Sequence, residues 1–89
     1  MTLRMERVSA RGGTRIRLIG ELRSEQLIDL HTEIERGGQQ VTLDLDELYL
    51  VDIDAVRFLN ACTAQGVKVV NCSLYLREWM YRERKQKKD

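Results

Sequence analysis

The feature that most constrains the fold is a change of hydrophobic period between two neighbouring segments, residues 14–20 and 24–36. In the first segment, Ile16 and Leu18 alternate with arginines, which is the period of a β-strand. In the second segment the apolar residues return every three or four positions, as on one helical face. That face consists of Leu27, Leu30, His31 and Ile34. A strand followed by a helix of about ten residues or more favours a right-handed crossover to a parallel strand, so we expect an α/β fold.

The segment before this pair has the pattern of another strand. Residues 3–10 alternate apolar and polar side chains, and Leu3, Met5 and Val8 are expected on one face. The paired glycines that follow predict a hairpin turn, and therefore an antiparallel pairing with the strand that ends at Gly20.

The alternation of strand and helix continues along the rest of the chain. The sequence predicts strands at 41–45 and 67–71, and helices at 54–66 and from Ser73 onwards. The predicted inner faces of these helices are Val56, Leu59 and either Cys62 or Thr63, and then Leu76, Trp79 and Met80. The element order is therefore ββαβαβα, in a mixed four-stranded sheet. Three helices cannot cover both faces of so small a sheet, so we expect them mainly on one face.

Polar residues and glycines mark the expected ends of the first two helices. Ser24 is predicted to be the N-cap of the first helix, and Gly37 to be the left-handed residue that ends it. Gly66 is expected to close the second helix in the same way.

The 89 residues fit a single domain with a modest core. Because the apolar face of the last helix ends at Tyr81, we expect a domain at residues 1–81 and a basic, frayed tail at 82–89. The i, i+4 ion pairs expected in this helix are Glu78–Arg82 and Glu83–Lys87.

Composition narrows the possible functions. The formal net charge is +1, and the basic tail lacks interleaved aromatic residues, so we expect no nucleic-acid partner. No apolar run approaches the roughly 20 residues of a membrane span, so we expect a cytoplasmic protein with reduced thiols. The single histidine and the two cysteines, Cys62 and Cys72, lack metal-ligand spacing, so neither a metal nor a cofactor is expected.

Acidic residues are concentrated between positions 44 and 54, where five acids occur without a base. Carboxylates at strand ends can bind Mg²⁺ in phosphoryl-transfer sites. A magnesium-dependent or nucleotide-binding protein that uses Asp44, Asp52 and Asp54 is therefore one alternative. Against it, no glycine-rich phosphate loop is present, and nothing places Lys68 beside the acids.

The pair Asp52 and Asp54 also has a purely structural interpretation. As the N-cap of the second helix, Asp52 would accept a hydrogen bond from the amide of Asp54 or of Ala55. Asp54 would then lie in the first turn, where the helix dipole favours a carboxylate. The functional interpretation is that this helix start is a docking surface, and the residues alone leave both interpretations open.

Three segments resemble the STAS domain family, which includes the anti-sigma factor antagonists and the cytoplasmic ends of sulfate transporters. The segments are LIGELRSEQLIDLHTEIE, VTLDLDELYLVDIDAVRFLNAC and GVKVVNCSLYLREW, and the resemblance covers roughly residues 14–80. Its most telling part is a strand reading LDL, an apolar approach to Asp52, and a helix that begins just after it. The resemblance implies a STAS-like fold and a role in protein–protein interaction.

In the antagonist branch of that family, the helix start reads Asp, then Ser or Thr, a small residue and Gly. A partner anti-sigma kinase phosphorylates the hydroxyl, and phosphorylation abolishes binding. On this chain the motif falls on Asp52, Ile53, Asp54 and Ala55, of which only Asp52 matches cleanly. Isoleucine has no hydroxyl, so we expect no phospho-switch at Ile53.

The resemblance therefore implies a non-catalytic interaction module similar to an anti-sigma factor antagonist, with no catalytic residue. Its expected partner is an anti-sigma factor or a related regulatory kinase in a bacterium. An accessory subunit of a transporter or lipid-trafficking complex is the alternative within the family. The expected partner-binding residues are Leu50, Asp52, Ile53, Asp54, Ala55, Arg57 and Phe58. Among these, Leu50 and Phe58 are predicted as apolar anchors, and Arg57 as the group that pairs with a partner carboxylate.

Overall fold

The computed structural model describes residues 3–38 and 40–86, without the side chains of Ala10 and Gln86. The elements are β1 (Leu3–Ala10), β2 (Gly13–Leu22), a 3₁₀ turn (Ser24–Gln26), α1 (Leu27–Arg36), β3 (Val41–Val51), α2 (Ile53–Ala64), β4 (Lys68–Val70) and α3 (Leu74–Gln86). The four strands form one sheet in the order β1-β2-β3-β4, with β1 and β2 antiparallel and the remaining pairs parallel. This confirms the predicted α/β fold, its mixed four-stranded sheet and its ββαβαβα order.

The strand order explains why the helices lie on one face of the sheet. The crossovers from β2 to β3 and from β3 to β4 step in the same direction, and right-handed crossovers in one direction place their helices on the same side. Burial in β2 follows this geometry, because Ile16, Leu18 and Leu22 are buried while Arg15 and Arg17 reach solvent on the opposite face. The core consists of Ile16, Leu18, Leu22, Leu30, Val41, Leu43, Leu45, Ala55, Val56, Leu59, Leu76 and Met80.

β3 is longer than predicted, because it continues from Leu45 to Val51. Its register against β2 shifts twice, between Arg17 and Ile19 and again just after Gly20. Each shift is a β-bulge that adds a residue to β3 and moves the following side chains to the other face. The sequence of this segment therefore shows no period of two, although the backbone is extended throughout.

The first strand also differs in one side chain from the prediction. Leu3 and Met5 pack against the core, but Val8 is exposed. Odd positions of β1 face the helices, and Val8, at an even position opposite Arg15, faces away from them.

Two predicted ends of the first helix are wrong in detail. Ser24 begins the 3₁₀ turn, with Arg23 in the cap position, and so is not the N-cap of α1. At the other end Gly37 remains right-handed, and it is Gly38 that takes the left-handed conformation, with φ of 85°. The chain thus turns one residue later than predicted, and the left-handed residue is still a glycine, as expected where a Cβ would be unfavourable.

The second helix ends as predicted, with Gly66 left-handed at φ of 97°. Of the two candidates for its inner face, Cys62 is buried and Thr63 is exposed. In α3, Arg82 pairs with Glu78 at 3.4 Å, which confirms the first predicted ion pair. Residues 82–86 belong to α3, whereas Lys87 and the remainder of the predicted tail lie outside the described residues. No helix in the described part of the chain is long and apolar enough to cross a membrane.

Candidate functional site

The candidate site is the start of α2, and Asp52 fixes its geometry. Asp52 has an extended backbone, with φ of −107° and ψ of 178°, and its Oδ1 accepts a hydrogen bond from the amide of Ala55 at 2.9 Å. Its Oδ2 accepts from the amide of Ser24 at 2.9 Å, and its own amide donates to the carbonyl of Leu22 at 3.3 Å. The predicted N-cap is confirmed, and the same carboxylate joins the loops that follow β2 and β3.

Three of the predicted partner-binding residues reach solvent around this cap. Ile53, the first helical residue, is 36% exposed, and Leu50 at the end of β3 is 37% exposed. Asp54 is exposed in the first turn, where the partial positive charge of the helix start favours its carboxylate. The site therefore offers two apolar side chains and one carboxylate on a backbone that hydrogen bonds hold in place.

Of the other predicted residues, Ala55 and Phe58 pack within the fold, whereas Arg57 is exposed but paired within the chain. Ala55 is fully buried, so its side chain cannot contact a partner. Phe58 is half-buried against the core, and its ring meets that of His31 edge-on at 6.4 Å. Arg57 donates from Nε to Oε1 of Glu83 at 3.1 Å, so the carboxylate that it pairs with in this structure belongs to the same chain.

Two tyrosines that the sequence did not single out extend the site. Tyr49 and Tyr75 are strongly exposed, and together with Leu50 they line one shallow depression where the end of β3 meets the start of α3. The signal for Tyr75 was present, because its position lies off the inner face defined by Leu76 and Met80. The signal for Tyr49 was hidden, because the second β-bulge removes the alternation around it.

Asp44 has a separate environment within the sheet. It is buried, and it accepts hydrogen bonds from Nδ2 of Asn71 at 2.9 Å, from the amide of Asp46 at 3.1 Å and from Nη2 of Arg15 at 3.1 Å. Burial by itself would raise the pKa of this carboxyl, but the donors outweigh it and lower the pKa below its ordinary value. Asn71 meets Asp44 from a left-handed backbone, with φ of 58°.

The carboxylates considered for magnesium do not converge. Asp44 is surrounded by its own donors, and both oxygens of Asp52 accept from backbone amides. Within residues 3–38 and 40–86, no group of three or more His, Cys, Asp or Glu side chains is placed to hold a metal ion. The magnesium alternative therefore gains no support from the geometry of these acids.

The two cysteines lie in the packed part of the molecule. Cys62 is buried in α2, and burial raises the pKa of its thiol to about 11. Burial also raises the pKa of the half-buried Cys72, and the nearby Arg77 opposes that shift in part. A protonated thiol is a poor nucleophile, so these positions have the properties of structural cysteines.

Neither a protein-family model nor a curated protein sequence matches this chain. A functional proposal therefore rests on the geometry of the described residues and on the resemblance of the sequence segments.

Proposed function

We propose that this chain is a non-catalytic protein–protein interaction module of the bacterial cytoplasm, similar to an anti-sigma factor antagonist. Its docking surface is the helix-start patch, defined as Tyr49, Leu50, Ile53, Asp54 and Tyr75. The observation that supports it best is the exposure of Ile53 directly after the Asp52 cap, together with that of Leu50 on β3, where it pairs with Glu21 of β2. A surface that is already ordered loses little conformational entropy when a partner binds.

The chemistry of the helix-start patch suits a protein partner. Tyrosine is enriched among the residues that contribute most of the binding energy at protein interfaces, and exposed apolar patches commonly mark such sites. Asp54 adds one fixed negative charge beside them. A partner that presents an arginine or a lysine next to an apolar pocket would complement this surface.

Binding at this patch is proposed to be independent of phosphorylation at the position of Ile53. That residue occupies the first helical position and has no hydroxyl. Two hydroxyls elsewhere in the chain, those of Ser73 and Thr63, have structural tasks. Oγ of Ser73 accepts from the amide of Leu76 at 3.1 Å at the start of α3, and Oγ of Thr63 donates to the carbonyl of Asn60 at 2.9 Å.

The direct test is binding to the purified anti-sigma factors and regulatory kinases encoded in the same genome. We expect Ile53→Asp to abolish a complex seen with the wild-type chain, because it places an unpaired charge in the apolar part of the patch. Val8→Asp is the matched control, since it adds the same charge to an exposed apolar residue on the opposite face of the sheet. Failure of every such partner to bind, or equal loss in both variants, would contradict the proposal.

A kinase reaction tests separately whether binding is independent of phosphorylation. After incubation with a binding kinase and ATP, mass spectrometry should find the chain unmodified, with the complex intact. Phosphate on Thr63 or Ser73 at high stoichiometry would contradict this part of the proposal. If the chain instead binds a purified transporter ATPase through the same residues, its function is that of an accessory subunit.

A magnesium-dependent or nucleotide-binding function is tested by thermal unfolding with Mg²⁺, ATP and GTP. A metal at Asp52 would compete for its carboxylate with the amides of Ser24 and Ala55, which both bond it at 2.9 Å. We therefore expect no shift of the melting temperature with Mg²⁺ alone, whereas a shift of several degrees would favour this alternative.

A further inference from the structure

A basic cleft lies on the open face of the sheet, which is the face that bears Arg15 and Arg17 and is turned away from the helices. In the sheet register Arg15 of β2 pairs with Thr42 of β3, and Thr42 pairs with Lys68 of β4. Neighbouring strands lie about 5 Å apart, and paired residues point to the same face. The hydroxyl of Thr42 therefore lies between the cationic side chains of Arg15 and Lys68, in a row that crosses three strands.

The hairpin turn between β1 and β2 closes this row into a concave site. A cleft of about 220 Å³ is lined by Arg15, Thr42 and Lys68, and on its other side by Arg11 and the paired glycines of the turn. A Cβ at Gly13 would collide with the carbonyl oxygen of Gln40, so the turn can approach the start of β3 this closely only with glycine there. The fold thus brings three basic side chains from separate segments to one cavity.

The positive charge of this cleft is only partly balanced. Elsewhere on the open face, Arg4 pairs with Glu6 at 2.8 Å and Arg17 with Glu47 at 2.9 Å. Arg15 pairs with Asp44 at 3.1 Å, but it leaves nearly half of its side chain exposed. For Arg11 and Lys68, the described residues contain no ion-pair partner.

We propose that this basic cleft binds a compact phosphate-bearing anion, of the size of inorganic phosphate, pyrophosphate or a phosphomonoester. A guanidinium group matches the geometry of phosphate oxygens, a lysine supplies a point charge, and the Thr42 hydroxyl can donate the remaining hydrogen bond. The volume of about 220 Å³ is below the range of about 300–1,000 Å³ typical of sites for drug-sized ligands, so the cleft suits a compact anion.

This site is separate from the helix-start patch and does not depend on the proposed docking function. The cleft lies at the amino ends of the parallel strands β2 and β3, whereas α2 begins beyond the carboxyl end of β3. A phosphate could reach it on a small metabolite or on a lipid headgroup, since both present the same oxygens. Val8 pairs with Arg15 in the same cross-strand row and is exposed, so an apolar side chain that could meet a lipid surface neighbours one of the residues that line the cleft.

The test is titration calorimetry of the full chain with inorganic phosphate and with pyrophosphate, against chloride at equal ionic strength. We expect binding that weakens as sodium chloride is added, with pyrophosphate tighter than phosphate. Arg11→Gln and Lys68→Gln should each weaken pyrophosphate binding by about tenfold, the value of one charge-assisted hydrogen bond. Both side chains are without ion pairs among the described residues, so neither change should lower the melting temperature of the unliganded chain.

Arg82→Gln is the matched control, because it removes the same charge from an exposed position on α3. It should leave pyrophosphate binding unchanged. A wild-type chain that binds neither anion, or an Arg82→Gln effect as large as that of Arg11→Gln, would overturn the proposal.

Vesicles distinguish the two sources of phosphate. Phosphatidylcholine vesicles with and without a phosphatidylinositol phosphate are compared for the wild type and for Lys68→Gln. Binding that requires both the phosphoinositide and Lys68 assigns a lipid headgroup. Pyrophosphate binding without vesicle binding assigns a small phosphorylated ligand, and binding to vesicles that is equal with and without the phosphoinositide counts against a phosphate site.

Discussion

The carboxylate of Asp52 accepts a hydrogen bond at 2.9 Å from the amide of Ser24, which lies 28 residues earlier in the chain. Its other oxygen simultaneously caps α2 through the amide of Ala55. The first bond fixes the turn that leads into α1, and the second fixes the start of α2. One side chain therefore sets the relative positions of two loops at the carboxyl ends of neighbouring parallel strands. The exposed Ile53 directly follows this side chain, so the same bonds hold its backbone in place.

Removing this carboxylate should destabilise the fold. We expect Asp52→Ala to lower the free energy of unfolding by about 1–3 kcal/mol, because both a helix cap and a second amide lose their acceptor. Asp52→Asn retains one acceptor oxygen and should cost less. Asp54→Asn, the control, changes only a first-turn charge and should cost at most about 1 kcal/mol. Urea denaturation measures all three, and an alanine variant as stable as the wild type would show that the two bonds contribute nothing.

The role of Asp52 shows how far sequence reasoning extends. Its cap on α2 was predictable, since an aspartate directly before a helical period is a local signal. Its bond to Ser24 was not predictable, because the contact exists only once β2 and β3 pair in parallel. The same limit applies to Arg57, whose partner Glu83 lies 26 residues away and is brought near by the packing of α3 on α2.

The fold itself was largely predictable from the sequence, except for the second half of β3. The order and type of every main element follow from hydrophobic period, but two β-bulges hide the second half of β3. A bulge shifts the register by one residue, so the apolar positions Leu48 and Val51 still face the core while the period of two is lost. For that reason the sequence predicts a strand that ends at Leu45, before Tyr49 and Leu50.

Asp44 should make stability depend on pH. Its pKa in the folded chain lies below the ordinary value of 3.8, so folding favours the ionised carboxylate. That stabilisation is fully present at pH values above the ordinary pKa of 3.8. It is lost as the pH falls from about 4 through the pKa of the folded chain. Urea midpoints between pH 6 and pH 2.5 should fall for the wild type, and fall less for Asp44→Asn. Parallel curves for the two proteins would show that another carboxyl controls the acid transition.

The two thiols should differ in reactivity towards a thiol reagent at pH 8. Cys62 is 7% exposed and burial raises its pKa to about 11, so almost none of it is thiolate at that pH. Cys72 is more accessible, although burial raises its pKa too. In the native chain Cys72 should label first and Cys62 slowly, while both label rapidly in urea. Cys72→Ser should remove the fast phase, and persistence of that phase would show that Cys62 is accessible.

The carboxyl-terminal boundary of the domain can be tested by truncation. The loss of an apolar face after Tyr81 suggests a tail, yet Glu83 is only 14% exposed and pairs with Arg57 at 3.1 Å. At the next residue of α3, Nη1 of Arg84 donates to Oδ1 of Asn60 at 2.9 Å. Residues 82–86 thus contact α2 through polar groups, which a search for hydrophobic period does not detect.

A chain that ends at Tyr81 should therefore lose about 1–2 kcal/mol of unfolding free energy, the value of one or two hydrogen bonds to charged groups at a partly exposed site. A chain that ends at Gln86 retains both contacts and should be more stable than the chain that ends at Tyr81. Asn60→Asp adds a finer comparison, since it keeps the acceptor for Arg84 but loses the Nδ2 donor that bonds the carbonyl of Met80 at 3.0 Å. Urea denaturation compares the four proteins. If the chain ending at Tyr81 is as stable as the full-length protein, the domain ends where its hydrophobic period ends, and the contacts of Glu83 and Arg84 are energetically neutral.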